Sequence, residues 1–354
     1  MCDFYYCVFN EKFNYLCNIK IDKSMRRKIL NAILVIGIGL SSVAQVSMGD
    51  IVFNPAKGKP IIQVFGNFHT GFGSENNDRG FELDRSYIGY QYSLSDNLQI
   101  KAVMDVGQSK DVNDYQRIAY IKNAQLTWKT GNWTFDGGLI STTQFKVQEK
   151  FWGYRYIMKS FQDQYKFGSS ADLGISAACK FNKWLSADAI VVNGEGYKQI
   201  QNKDGLQYGL GATVTPLKGL SLRLYGSINE STEDNTKDAY NWAAFVGYQN
   251  TRFSVGAEYN IYQNVKFKED ADQYGFSVYG TVKLSDVVEI YARHDKLSSK
   301  DDWNISKDES ATMLGAQFKV CKYVKIAPNV RMNMPSAKGV NNLYSAYVNC
   351  YFGF

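Results

Sequence analysis

From Lys59 to Phe354 the chain alternates apolar and polar residues with period two, in sixteen segments. In "LQIKAVMDVG", Leu98, Ile100, Ala102, Met104 and Val106 share one face, while Gln99, Lys101, Val103, Asp105 and Gly107 share the other. "LSLRLYGSIN" separates Leu220, Leu222, Leu224 and Ile228 from Ser221, Arg223, Tyr225, Ser227 and Asn229, and "RFSVGAEYNIY" divides the same way. Successive side chains of a strand point to opposite faces, so this pattern predicts strands with one apolar face and one charged face. The connections alternate in length. Those at 94–97, 130–132, 182–183, 216–219, 249–251, 284–286 and 321–323 are very short; those near 73–80, 109–116, 142–170, 193–205, 229–238, 263–272, 296–309 and 333–341 are longer and polar. Seven short turns and eight long loops give sixteen strands, with both ends of the sheet on the short-turn side.

Alternation alone does not separate a soluble sandwich from a membrane barrel, because both have one apolar face. The placement of the aromatics does. Trp128 and Trp133 bracket one short turn, Phe181 and Trp184 the next and Tyr248 and Phe253 another; Tyr90 and Tyr92 precede the first. Rings at strand ends suit the headgroup layer of a membrane. The closing stretch "NNLYSAYVNCYFGF" is itself a strand, ending on Phe352 and Phe354. An unpaired strand would template aggregation, so it is expected to pair with the first strand and close the sheet. The fold class is therefore an all-β transmembrane antiparallel barrel of about 16 strands, its last aromatic presented to the barrel assembly machinery. Pro328 lies mid-strand in "VKIAPNVRMN", where it cannot donate a ladder bond, so a bulge is expected there.

The front of the chain suggests export. From Met25 a basic start (Arg26, Arg27, Lys28) leads into an apolar run from Ile29 to Leu40, and Ser42 and Ala44 suit a signal-peptidase site that leaves Gln45 first. The run is shorter than the roughly 20 residues a spanning helix needs. The expected organisation is an upstream extension at 1–24 from a start assigned too early, a signal peptide at 25–44 and a barrel at 45–354. Removal of 1–44, with six Lys/Arg and three Asp/Glu of the 40 and 34 in the chain, leaves 34 against 31. So even a balance gives no electrostatic footprint for nucleic acid. The remaining cysteines, Cys179, Cys321 and Cys350, are odd in number and form no CxxC, which argues against a disulfide framework or zinc site.

Catalytic chemistry is hard to find. His69 and His294 are the two histidines, with no HExxH and no GxSxG. His294 and Asp295 are strand neighbours on opposite faces, so they cannot form a dyad. The glycines of "GLGATV" and "NGEGY" fail the dinucleotide pattern, and the acidic stretch from Glu230 to Asp238 lacks the spacing of an EF-hand loop. No catalytic group, metal site or cofactor is expected.

The informative stretch is "STTQFKVQEKFWGYRYIMKSFQDQYKFGSS", the third long connection, rich in aromatic residues from Phe151 to Phe167. It is too apolar to float in water, and loops beyond about 15 residues are usually functional. Folded into the lumen, it buries those rings and narrows the pore. Its candidate constriction cations are Lys146, Lys150, Arg155, Lys159 and Lys166, against Glu149 and Asp163. In a wide pore, screening over about 8 Å mutes such a surplus, but at a constriction it acts on every passing ion.

"FELDRSYIGYQYSLSDNLQIKAVMDVG", "FWGYRYIMKSFQDQYKFGSSADLG" and "VVNGEGYK" resemble segments of the phosphate-selective porin O and P-like family of Gram-negative outer membranes. The resemblance implies a sixteen-stranded barrel, often trimeric, with the third long loop folded inward and basic residues at the constriction. Parity departs from a purely basic passage. The lumen face is expected to show Arg85, Lys101, Lys180, Arg223, Lys283, Arg293, Lys325 and Arg331, but also Asp105, Asp136, Asp172, Asp188, Glu258, Glu289 and Asp295. A general porin for small polar solutes fits as well as phosphate selectivity. The expected function is passive diffusion of small hydrophilic solutes and ions through a cell outer membrane, with a mild anion preference. Expected partners are outer-membrane lipid and lipopolysaccharide, small anionic or neutral polar solutes, and further copies of the chain in a trimer. A barrel enzyme with its site in the outer loops, and a structural or adhesive barrel with a plugged lumen, stay open as alternatives.

Overall fold

The computed structural model describes residues 54–73, 76–108, 116–201 and 205–354. The expected extension, signal peptide and cleavage site before Gln45 lie outside the described residues.

Sixteen strands follow in order: β1 (Gly58–Phe72), β2 (Arg79–Ser93), β3 (Leu98–Gln108), β4 (Arg117–Thr130), β5 (Trp133–Ser141), β6 (Ala171–Lys180), β7 (Leu185–Val192), β8 (Gln207–Val214), β9 (Leu220–Asn229), β10 (Ala239–Gln249), β11 (Phe253–Gln263), β12 (Gln273–Lys283), β13 (Val288–Ser299), β14 (Glu309–Cys321), β15 (Val324–Pro335) and β16 (Leu343–Gly353). Two short helices, α1 (Lys146–Trp152) and α2 (Phe161–Gln164), interrupt the run between β5 and β6. Each strand pairs with its sequence neighbours, and β16 pairs antiparallel with β1 from Gln63↔Gly353 to Phe72↔Tyr344, so the barrel closes. Phe354 continues the seam: its N–H donates to the Ile62 carbonyl at 2.9 Å and its carbonyl accepts from the Ile62 N–H at 3.2 Å. Closure leaves no sheet edge to pair with a stranger.

The burial pattern is the reverse of a soluble domain's. Ile175, Leu210 and Leu224 are 63%, 65% and 67% exposed, whereas Asn260, Ser277 and Asp295 are fully covered. An apolar exposed face around a polar shielded one is what lipid demands of a barrel. The short turns are built to be tight. Asn182 and Asn250 each accept two backbone N–H groups through Oδ1, and Ser95 and Ser285 do so through Oγ, local bonds that stand in for a longer loop. Rings cluster there: Trp128 and Trp133 lie 5.5 and 5.8 Å from Phe135, Tyr248 lies 5.6 Å from Phe253, and Tyr323 lies 6.4 Å from Phe354.

The expected bulge at Pro328 is absent. Register between β14 and β15 is constant from Glu309↔Pro335 through Gly315↔Asn329 to Lys319↔Lys325, and Pro328 still faces Val348 of β16. The missing N–H interrupts the pairing opposite Ala316 and Gln317 without an inserted residue, since a barrel's remaining bonds hold the register. Shifts occur at other places, one of them at the turn end of this same pair between Lys319 and Cys321. Between β1 and β2, Phe65↔Arg85 is followed by Gly66↔Leu83, leaving Asp84 unmatched; between β3 and β4, Val103↔Asn123 is followed by Met104↔Ile121, leaving Lys122 unmatched. Each extra residue reverses the in-out phase of its strand.

One glycine marks a close approach on β5. Gly138 has φ +103°, and a Cβ there would sit 2.3 Å from the Ala124 carbonyl oxygen. Gly138→Ala is expected to lower barrel stability by about 1–3 kcal/mol, read as an earlier folded-to-unfolded band shift on heating unboiled gel samples. An unchanged shift temperature would count against that strain.

Candidate functional site

The 142–170 segment is held partly by its own side chains. Three buried residues of α1, Gln148, Phe151 and Trp152, recur at helical spacing, and the helix stops at Gly153, whose left-handed φ of 71° lets its N–H return to the Glu149 carbonyl at 3.0 Å. Trp152 Nε1 donates to the Met158 carbonyl at 2.7 Å, and Gln144 Nε2 joins Gln162 Oε1 at 2.7 Å and the Phe167 carbonyl at 3.0 Å, tying both ends together.

Its rings then pack on the shielded faces of many strands. Phe151 lies 5.1 Å from Phe245 of β10, over Gly247, where an added Cβ would strike it at 2.7 Å. Trp152 meets Tyr279 of β12 at 5.3 Å, Tyr154 meets Tyr291 of β13 at 4.8 Å, and Tyr156 meets Tyr351 of β16 at 5.7 Å and Phe65 of β1 at 6.4 Å. The hydroxyls are also used: Tyr154 donates to Glu289 Oε2 and Tyr156 to Gln317 Oε1, each at 2.8 Å. Fully burying one such ring is worth about 1.5–3 kcal/mol, so the segment is firmly held.

Charge within the segment centres on Arg155. Its Nη1 pairs with Glu149 and, at 2.6 Å, with Asp163, and its Nη2 donates to Tyr87 OH at 3.4 Å. Lys159 lies 3.9 Å from the same Asp163. Burial pushes the Asp163 carboxyl up, but Arg155 and Lys159 beside it outweigh that and hold it below its ordinary value.

Three cavities run alongside. One of about 390 Å³ lies between the segment and the wall, lined by Arg155 and Lys159 and by Arg85, Arg293 and Arg331, with Glu82 and Asp84 also present. A second, of about 480 Å³, shares Arg85 and Lys159 and adds Lys166 and Lys198. A third, of about 890 Å³, continues past Lys166 to Lys266, Lys307 and Trp303. Gln164 lines all three.

Of the cations expected on the segment, Arg155, Lys159 and Lys166 therefore line these cavities. Lys146 and Lys150 are exposed on α1 and line none of the three. Of the fifteen expected wall charges thirteen lie on shielded strand positions, several of them paired, whereas Lys180 and Lys283, at the short-turn ends of β6 and β12, are exposed. Arg85 Nε pairs with Asp105 at 3.2 Å, Arg223 with Asp188 at 2.6 Å and Glu289 with Lys319, while Glu258 accepts from Asn260 at 3.2 Å. Arg331 bonds to Asn329, Asn349 and the Ile157 carbonyl, 3.8 Å above the Tyr347 ring; Lys101 faces the same side near Lys122 and Lys146.

Parity missed two charged residues. Asp84 and Lys122 are the unmatched residues of the two bulges. Asp84 reaches Asn67 Nδ2 at 2.8 Å beside the first cavity, and Lys122 donates to Ser170 Oγ at 2.8 Å while lying over the Tyr87 and Tyr197 rings. The signal was present in the sequence. Apolar residues of β4 sit at odd positions through Ala119 and Ile121 and at even positions from Ala124 to Trp128; those of β2 switch from Phe81 and Leu83 to Ile88 and Tyr90.

The histidines stay apart. His69 Nδ1 meets Asn67 and its Nε2 lies 3.4 Å from Asp78; His294 Nδ1 meets Thr312, while Asp295 pairs with Arg293. No group of three or more metal-ligating side chains occurs among the described residues.

No family model matches the chain, and no curated protein is similar to it in sequence. Solved structures are similar in fold. OmpF of Salmonella typhi, solved with daunomycin, aligns with a TM-score of 0.66 and 11% identity over 86% of this chain and 99% of its own. OprB of Pseudomonas putida gives 0.66 and 11% over 84% and 94%, and an anion-selective porin of Comamonas acidovorans gives 0.63 and 13% over 84% and 99%. At such identities what is shared is the closed barrel.

Proposed function

We propose that the protein is an outer-membrane porin, through which small hydrophilic solutes and ions diffuse passively, and that the 142–170 segment lies in its lumen. One observation supports this reading: a single segment packs on shielded residues of β1, β10, β12, β13 and β16 of a closed ring, as a chain lying inside it would. The cavities beside it are then the passage. A mild anion preference is supported by Lys159 and Lys166, the cations of the segment that line these cavities once Arg155 is spent on Glu149 and Asp163. Nothing in the passage favours phosphate over other small anions, since most wall arginines already hold carboxylates. A trimer is the reading for assembly, because OmpT of Vibrio cholerae, similar in fold with a TM-score of 0.53, is described in a trimer form.

The chain from Gln45, refolded and added to a planar bilayer, is expected to give stepwise conductance, with a reversal potential in a salt gradient on the anion side. Insertion without conductance would favour a plugged structural barrel and end the porin reading.

A further inference from the structure

The wall arginines present a puzzle that ion selection does not solve. A charge that attracts passing anions has to be unspent, yet Arg293 makes two bonds to Asp295, from Nε at 2.8 Å and Nη2 at 2.7 Å, and Arg223 makes two to Asp188 at 2.6 and 3.0 Å. Each also donates an N–H to the main chain of the 142–170 segment. Arg293 Nη1 donates to the Lys159 carbonyl at 2.6 Å and Arg223 Nη2 to the Thr143 carbonyl at 2.9 Å. Arg331 Nη2 does the same to the Ile157 carbonyl at 3.0 Å, its Nε fixed on Asn329. Two neutral groups repeat the pattern: Asn241 Nδ2 donates to the Phe167 carbonyl at 2.9 Å and Tyr279 OH to the Gln148 carbonyl at 3.1 Å.

Resting on the porin reading above, we propose that Arg223, Arg293 and Arg331, with Asn241 and Tyr279, are positioning residues that clasp the segment by its carbonyls and set the width of the passage. The donors stand on β9, β10, β12, β13 and β15, and so draw the segment toward one arc of the ring. The first cavity lies beside this clasp, lined by Arg293 and Arg331 themselves and, past the β1–β16 seam, by Phe65 of β1 and Arg85 of β2. A guanidinium suits the task because its planar fork serves a carboxylate and a carbonyl at once. A lysine in its place keeps the charge but loses the fork.

Three variants separate clasp from charge: Tyr279→Phe, which removes one donor and no charge; Arg331→Lys, which keeps charge; and Arg331→Gln, which loses it. Hydrogen exchange of the segment's amides in the refolded full chain should speed up about two- to tenfold in each, the range for one net hydrogen bond. Open-channel current noise should rise in each, and in Tyr279→Phe and Arg331→Lys the reversal potential should stay in place. Unchanged exchange and noise in Tyr279→Phe and Arg331→Lys, with a shifted reversal potential in Arg331→Gln, would overturn the proposal and make Arg331 a selectivity charge. The exchange reading does not need a conducting channel, so a wild-type chain that fails to conduct would end the porin reading while exchange still tests the clasp.

Discussion

Replacing Arg155 with glutamine is expected to unfasten the 142–170 segment and add a pH response from Asp163 that the wild type lacks. Arg155 bridges Glu149 and Asp163, with side chains 16%, 29% and 12% exposed, respectively. Removing one partner of a buried ion pair costs about 3–5 kcal/mol, because the charge left behind has lost its solvent and its counterion together. The sign of the pH effect follows from Asp163. In the wild type burial raises its pKa, but Arg155 and Lys159 bring the balance below the ordinary carboxylate value. Stability from a depressed acid is complete above the unfolded pKa near 4 and is lost only as pH falls through the lower folded value. Asp163 should therefore add no pH dependence to the wild-type current down to about pH 5. In Arg155→Gln the burial effect is opposed only by Lys159 and Lys122, so Asp163 takes up its proton at higher pH. Bilayer recordings between about pH 4 and 8 should then show noise and conductance changing with pH in the variant. Identical records for both proteins would mean that Arg155 does not hold the segment.

Strand number, turn lengths and outward faces were legible because a barrel repeats one rule along the chain: period two, interrupted by short turns and long loops. The aromatic rings at Trp133, Phe181, Trp184 and Phe253 added the membrane. What sequence parity cannot carry is any residue that breaks the period. Pro328 looked like such a break and was not, since losing one N–H removes a bond but inserts nothing. Asp84 and Lys122 were breaks and went unrecognised, although the apolar residues around them change phase. The candidate site divides in the same way. That the third long connection carries rings and cations was readable from its composition. Which cations are spent was not, because Arg155 meets Tyr87 across 68 positions and Arg331 meets Ile157 across 174.

That division selects the charges worth reversing. Lys150 lines none of the three cavities, and Arg155 is needed to hold Glu149 and Asp163, so changing either confuses selectivity with structure. Lys159 and Lys166 remain. Lys159 is 40% exposed and only 3.9 Å from a carboxylate already claimed by Arg155, and Lys166 borders the second and third cavities. An ion passing about 4 Å from a unit charge feels roughly 1 kcal/mol in water and about 4 kcal/mol at a protein surface. Reversing both lysines to glutamate should therefore move the cation-to-anion permeability ratio by about fivefold or more. The reversal potential in a salt gradient should swing toward cations, less so at high salt, where the Debye length shortens to about 3 Å. The control is Lys237 and Lys300, paired with Glu269 at 3.3 Å and Asp270 at 3.2 Å on exposed loops. Reversing those two should hardly change the potential, since bulk ions screen them. Equal swings from both pairs would show that the segment does not line the narrowest point, and the anion preference would fall with it.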